Sequence, residues 1–169
     1  HTEIRIVDEH GVSVPNARDV GELWVKGPNV TPGYWNRPEA NATSFTDGWL
    51  HTGDAAYLDE DGYLYVVDRW KDMYISGGEN VYPAEVENVI YGVAGVGEVA
   101  IIGVPDERWG EVGQAFIVTK PGHELDEATV LAHCSENLAT FKRPRSVRFV
   151  EEIPHNATGK VLKRELRKG

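Results

Sequence analysis

Two regimes of hydrophobic patterning divide the chain. Up to residue 69 the apolar residues come in short extended runs. Ile4 and Ile6 alternate with polar residues and predict a half-buried strand over Glu3 to Val7. Gly21 to Lys26 predicts a second strand, Gly33 to Trp35 an aromatic turn, and Pro38 to Phe45 a helix with Glu39 at its positive end. Trp49 to Asp54 follows. Ala55 to Leu58 and Tyr63 to Val67 flank Asp59 to Gly62 and predict a hairpin, because Asp-Gly is a turn signal between strand-like runs. Such a piece buries little on its own and leaves open edges.

Beyond residue 72 the pattern alternates between helix and strand. Met73 to Ile75 reads as a short strand and Ser76 to Gly78 as a turn. Pro83 to Tyr91 predicts a helix with Val86, Val89 and Ile90 on one face. Glu98 to Val104, Gly113 to Thr119 and Ser146 to Val150 predict strands. Asp126 to Leu138 predicts a helix whose apolar stripe is Val130, Leu131, Cys134 and Leu138. The fold class expected is α+β: a short-stranded β tail of a larger N-terminal domain, residues 1–70, followed by a small mixed α/β C-terminal domain, residues 71–169.

Composition narrows the function classes. The chain has 169 residues, a hydrophobic fraction of 41% and a net charge of −10. That charge argues against indiscriminate binding to nucleic acid or acidic membranes. No apolar run approaches a transmembrane segment and no secretory signal opens the chain. Cys134 is the only cysteine, which excludes an internal disulfide and fits a cytoplasmic setting. Without a signal segment, the Asn-x-Thr sequons at Asn41 and Asn156 read as chance matches. Basic residues crowd two stretches, Lys142 to Arg148 and Lys160 to Lys168, which serve as solvated faces or as local phosphate sites. The six histidines show no metal-ligand spacing, so no metal ligand is assigned in this chain. Gly159-Lys160 lacks the spacing of a phosphate loop, and Gly95 to Ala100 enters a strand where a dinucleotide fingerprint would leave one.

Several stretches carry candidate chemistry. Thr52-Gly53-Asp54 taken alone reads as a turn, but a carboxylate there can accept hydrogen bonds from both hydroxyls of a ribose. Arg69 follows an apolar run that stops in charges, and a surface ion pair with Asp68 or Asp72 is its plainest use. Lys71 reads as exposed. Gly77-Gly78 reads as a tight turn or as a place of close backbone approach. Lys160 closes Pro154-His155-Asn156-Ala157-Thr158-Gly159-Lys160 and by itself reads as one lysine of a basic tail.

Taken together, in this order and at this spacing, the motifs resemble those of the AMP-forming acyl-CoA synthetases, within the adenylate-forming enzymes. The letters that carry the resemblance at the junction are Arg69, Lys71, Asp72, Gly78, Val81, Pro83, Glu85, Val86 and Glu87. At the end of the chain they are Pro154, Gly159 and Lys160, with Ala157 standing where a proline is common. The resemblance runs from Glu3 to Leu166, and the Asp72 to Glu87 stretch is most similar to bacterial fatty-acid–CoA ligases.

The resemblance implies an activity and a set of roles. A carboxylic acid, expected to be a fatty acid, is joined to AMP from ATP, and the acyl group then passes to coenzyme A. Asp54 and Arg69 would contact the ribose and Val66 would pack near the nucleotide. Lys71 would be the hinge about which the small domain turns, and Gly77 and Gly78 would approach the pantetheine arm of coenzyme A. Lys142 and Arg143 would meet coenzyme A phosphates, and Lys160 would be catalytic in adenylation. The phosphate loop, the acyl pocket and the Mg2+ site would lie in a preceding N-terminal domain, so the isolated chain is expected to be an inactive part of a longer enzyme. Related readings are a peptide-synthetase adenylation domain, a luciferase-like enzyme, and a non-catalytic nucleotide-binding module.

Overall fold

The computed structural model describes residues 1–168. The chain forms two compact units, His1–Lys71 and the residues from Asp72 onward.

The first unit is an antiparallel sheet built on β1 (Glu3–Val7), β2 (Gly21–Lys26), β3 (Phe45–Thr46), β4 (Trp49–Leu58) and β5 (Leu64–Arg69), with one helix, α1 (Pro38–Ser44). The strand β4 pairs with β2, β3 and β5 and so holds the unit together. Its core is small: Ile6, Leu23 and Ala56 are buried, with Val14, Val25 and Leu58 packed around them. Ile4 was expected to be half-buried beside Ile6, but it is exposed and Val7 is buried instead. The strand β1 is an edge, so only its inner end reaches the core. Helix α1 stops at Ser44 because Phe45 turns extended and pairs with Leu50.

Two further expectations are corrected here. Thr52-Gly53-Asp54 is not a turn and lies inside β4. The run expected to stop at Val67 continues through Asp68 and Arg69, which pair with Ala55 and Asp54. Charged side chains do not end a strand whose backbone still has a ladder to join.

The second unit contains β6 (Tyr74–Ser76), β7 (Glu79–Val81), α2 (Pro83–Tyr91), β8 (Val96–Asp106), β9 (Gly110–Thr119), α3 (Glu127–Asn137), β10 (Ser146–Phe149) and α4 (Lys163–Leu166). The strand β9 is central, antiparallel to β6 and β8 and parallel to β10. The apolar run Val99 to Ile102 is explained by two covered faces. Val99 and Ile101 pack with Val86, Ile90, Val130 and Cys134 of the helices, whereas Ala100 and Ile102 pack with Ile153 and Leu166 of the C-terminal segment. Strands β8 and β9 outrun their expected limits, and Pro105 is tolerated because β8 pairs only with β9 and is an edge.

Helix α3 begins one residue later than expected. Asp126 is its N-cap and accepts a 2.7 Å hydrogen bond from the Thr129 amide. Cys134 is a core thiol, and burial pushes its pKa up to about 11. The side chains of both sequon asparagines are engaged in local hydrogen bonds. Asn41 accepts from the Tyr34 amide and donates to the Tyr34 carbonyl.

Tyr74 is 2% exposed, and its hydroxyl has no hydrogen-bond partner among the described residues. Burial, reinforced by the Glu111 carboxylate, pushes its pKa up. A buried hydroxyl without a partner is a cost, so Tyr74→Phe is expected to leave stability unchanged or raise it by about 1 kcal/mol. Urea unfolding checks this. A loss of stability would mean that the hydroxyl is satisfied in solution.

Candidate functional site

In the first unit the site is built on a bulge. Glu22 pairs with Ala55 and Trp24 with His51, so Leu23 alone faces Thr52, Gly53 and Asp54. Gly53 takes φ +71°, a left-handed conformation that glycine adopts without strain. The bulge is pinned by side chains. Thr52 Oγ1 donates to the Leu23 carbonyl at 2.8 Å and accepts from the Asp54 amide at 3.1 Å. Glu22 Oε1 accepts from the Gly53 amide at 3.1 Å, and Glu22 Oε2 accepts from the Trp24 indole at 2.8 Å. Trp24 in turn stacks on His51 with ring centroids 3.9 Å apart.

The bulge presents Asp54 to Arg69. The two residues are cross-strand partners, and Arg69 Nη1 lies 2.7 Å from Asp54 Oδ1. The guanidinium is therefore engaged by Asp54, and separately the Arg69 backbone amide donates to Asp68 Oδ1 at 2.7 Å. Both side chains stay partly exposed, so the carboxylate keeps acceptor capacity toward a diol. Val66 stands on the same strand opposite Ala56 and is exposed. Sequence reasoning missed Glu22 and Thr52 as supports of Asp54. Their only local signal is an acidic residue two places from Trp24 on one strand.

Lys71 is exposed in the middle of a single 3-10 turn, Trp70–Asp72, at the boundary between the two units. A lone 3-10 turn has weak hydrogen-bond geometry and rearranges at small cost.

In the second unit Gly77 and Gly78 form the two-residue loop of the β6–β7 hairpin, with φ +62° and +87°. They are not equivalent. The Gly77 amide donates to the Trp109 carbonyl at 2.8 Å, and a Cβ on Gly77 would stand 2.7 Å from the Trp109 ring. A Cβ on Gly78 would meet nothing within 4 Å. Gly77→Ala is therefore expected to destabilise the unit by about 2 kcal/mol or more, from strain plus overlap. Gly78→Ala is expected to cost about 1 kcal/mol, from backbone strain alone. Thermal unfolding of the two variants checks the order, and equal losses would refute the packing role of Trp109. That residue also stacks under Arg145, whose guanidinium lies 5.2 Å from the ring centroid.

Lys142 is the last residue of a 3-10 turn, Thr140–Lys142, Arg143 caps that turn, and both have protein partners. Lys142 Nζ reaches Glu85 Oε1 at 2.7 Å and Oε2 at 2.8 Å, and Arg143 Nε donates to the Leu138 carbonyl at 3.0 Å. Any anion there would compete with Glu85 for the ammonium.

Lys160 sits at the end of an exposed loop whose stem is closed by the His155–Val161 bridge and by the Leu162 amide on the Pro154 carbonyl at 2.7 Å. His155 Nε2 lies 2.6 Å from Glu98 Oε1 on β8, and Lys163 Nζ lies 2.8 Å from Glu87 Oε1 on α2. The loop is thus fixed to the unit on both sides of Lys160. The Lys160 side chain itself has no hydrogen bond or ion pair with its own unit among the described residues. Among the described residues no group of three or more His, Cys, Asp or Glu could hold a metal ion, and no helix is long and apolar enough to cross a membrane.

The chain is similar to known proteins. Residues 85–160 match the family described as AMP-binding enzyme C-terminal domain. The chain is 52% identical over 167 residues to a feruloyl-CoA synthase of an Amycolatopsis species, covering 99% of this chain and 34% of that protein. It is 49% identical over 162 residues to a long-chain-fatty-acid–CoA ligase of Mycobacterium tuberculosis, covering 96% of this chain and 30% of that protein. Among solved structures, the o-succinylbenzoate coenzyme A synthetase of Bacillus subtilis in complex with ATP and magnesium ion matches with a TM-score of 0.88 at 41% identity, covering 98% of this chain and 34% of that one. The chain spans about a third of the length of the relatives it matches. The names of these relatives refer to feruloyl-CoA, long-chain fatty acids and o-succinylbenzoate, so the likeness does not single out fatty acids. The fold matches that of the C-terminal part of adenylate-forming enzymes, residues 85–160 match the AMP-binding enzyme C-terminal domain, and the curated relatives named above are acyl-CoA ligases.

Proposed function

We propose that this chain is the C-terminal part of an ATP-dependent, AMP-forming acid–thiol ligase, comprising the end of the large domain and the small mobile domain. The observation that carries the reading is the match of 99% of the chain, at 52% identity, to 34% of the length of a feruloyl-CoA synthase. In the reaction proposed, an oxygen of the substrate carboxylate attacks the α-phosphorus of ATP and pyrophosphate leaves. The sulfur of coenzyme A then attacks the acyl carbon, and AMP leaves.

The residues take the following roles. Asp54 accepts hydrogen bonds from the ribose hydroxyls, and Arg69 holds Asp54 and contacts the sugar. Val66 packs beside the nucleotide. Lys160 neutralises charge on the carboxylate and α-phosphate as it builds in the adenylation transition state. The small domain turns about Lys71 between the two steps. Gly78 admits the pantetheine arm, which the open space at that glycine supports. Gly77 supports the loop from below, and Lys142 and Arg143 meet coenzyme A phosphates only after exchanging their present partners. Mg2+ would be held upstream of this chain, and no step here runs through it. A fatty acid is one proposed substrate, and the relatives widen the choice to aromatic acids. The buried, reduced Cys134 suits the cytoplasmic setting proposed for the parent enzyme.

ATP–pyrophosphate exchange and thioester formation by the full-length enzyme test this reading with a panel of fatty acids, ferulate and 2-succinylbenzoate. Acid-dependent exchange followed by coenzyme A-dependent release of AMP is expected. Acid-dependent exchange by the isolated chain would overturn the assignment of the phosphate and acyl sites to upstream sequence.

A further inference from the structure

We propose that Asn156 is the positioning residue for Lys160, an inference that rests on reading Lys160 as the adenylating lysine. Both main-chain polar groups of Lys160 end on Asn156. The Lys160 amide donates to Asn156 Oδ1 at 2.9 Å, and the Lys160 carbonyl accepts from the Asn156 amide at 2.9 Å. The same Oδ1 accepts from the Thr158 amide at 2.9 Å and from Thr158 Oγ1 at 2.8 Å. The Asn156 carbonyl accepts from the Gly159 amide at 2.9 Å, where φ is +79°. One carboxamide oxygen therefore organises the whole turn and both neighbours of Gly159.

The division of labour is chemical. An exposed loop with a glycine has many conformers, and a long lysine side chain adds more. Fixing the Lys160 backbone removes the first source of spread and leaves the ammonium free of any partner in its own unit among the described residues. An ammonium that must meet a developing phosphate charge works best from a fixed root, because misplacement by about 1 Å can cost on the order of a hundredfold in rate. A neutral acceptor also suits the place. It takes several hydrogen bonds without setting a carboxylate beside the lysine to compete with the phosphate.

The test uses the full-length enzyme with Asn156→Ala, Asn156→Asp and Lys160→Ala. Asn156→Ala is expected to lower kcat for adenylation by about tenfold to a hundredfold with little change in KM for the acid. Thioester formation from preformed acyl-adenylate should be unchanged. Amide hydrogen exchange at Thr158 and Lys160 should accelerate. Asn156→Asp keeps the accepting oxygen and should restore amide protection, while the carboxylate it sets beside Lys160 should hold adenylation below the wild-type rate. Unaltered exchange at both amides in Asn156→Ala would overturn the structural half of the inference whatever Lys160 does. Faster exchange with wild-type adenylation, in an enzyme that Lys160→Ala cripples, would overturn the positioning role while the reading of Lys160 stood. Full adenylation by Lys160→Ala would overturn that reading itself.

Discussion

Lys160→Ala in the full-length enzyme is expected to slow adenylation by on the order of a hundredfold to a thousandfold, the size typical of losing one preorganised electrostatic contact to a transition state. The same variant should convert preformed acyl-adenylate to thioester at nearly the wild-type rate. The asymmetry follows from the chemistry proposed. The first step concentrates negative charge where an oxyanion of the acid meets a phosphate, and the lysine offsets it. The second step releases AMP and has no comparable charge build-up for this residue to meet. The side chain is exposed, so its removal should not move the unfolding midpoint. Single-turnover kinetics of the two half-reactions decide the matter. An equal loss in both steps would remove Lys160 from the first step specifically.

Lys71→Pro should show the opposite asymmetry. The φ angle of proline suits a 3-10 turn, so the fold around Trp70–Asp72 should accept it. What proline cannot do is follow a large change in φ. A second arrangement that needs such a change would be disfavoured by about 3 kcal/mol, on the order of a hundredfold in population. Adenylation should therefore survive, and thioester formation from acyl-adenylate should fall steeply. Wild-type rates in the second step would show that rotation, if it occurs, does not use the backbone of Lys71.

Much of the regular structure was legible in the sequence. Pro83 opens α2, and the glycine turn after β6 falls where expected, although the strand β7 beyond it was not foreseen. Val130, Cys134 and Leu138 are buried as their spacing predicts, whereas Leu131 of the same expected stripe is only half-buried. The bulge in β4 was not legible, because it depends on β2 pairing with a strand some thirty residues away. A triplet such as Thr52-Gly53-Asp54 has the local composition of a turn, and only the ladder shows that it stays in the strand. The Asp54–Arg69 pair was hidden for the same reason, although each residue was singled out separately. The packing of Ile153 and Leu166 on the second face of the sheet was also hidden, since isolated apolar residues in a charged segment carry no period. Asn156 was named only as a sequon residue. Its role depends on hydrogen bonds within a turn that composition does not reveal.

The same anchoring has a consequence for how the protein can vary over time. Ile153 and Leu166 carry the burial that holds the C-terminal segment in place, whereas His155 to Lys160 are exposed. On the role proposed for Lys160, foldedness and reactivity therefore fall on different residues of one short segment. Substitutions inside the loop can retune the chemistry while the protein stays folded, and substitutions at its two anchors can alter abundance while the reacting group remains intact. A lineage can therefore change one property without risking the other.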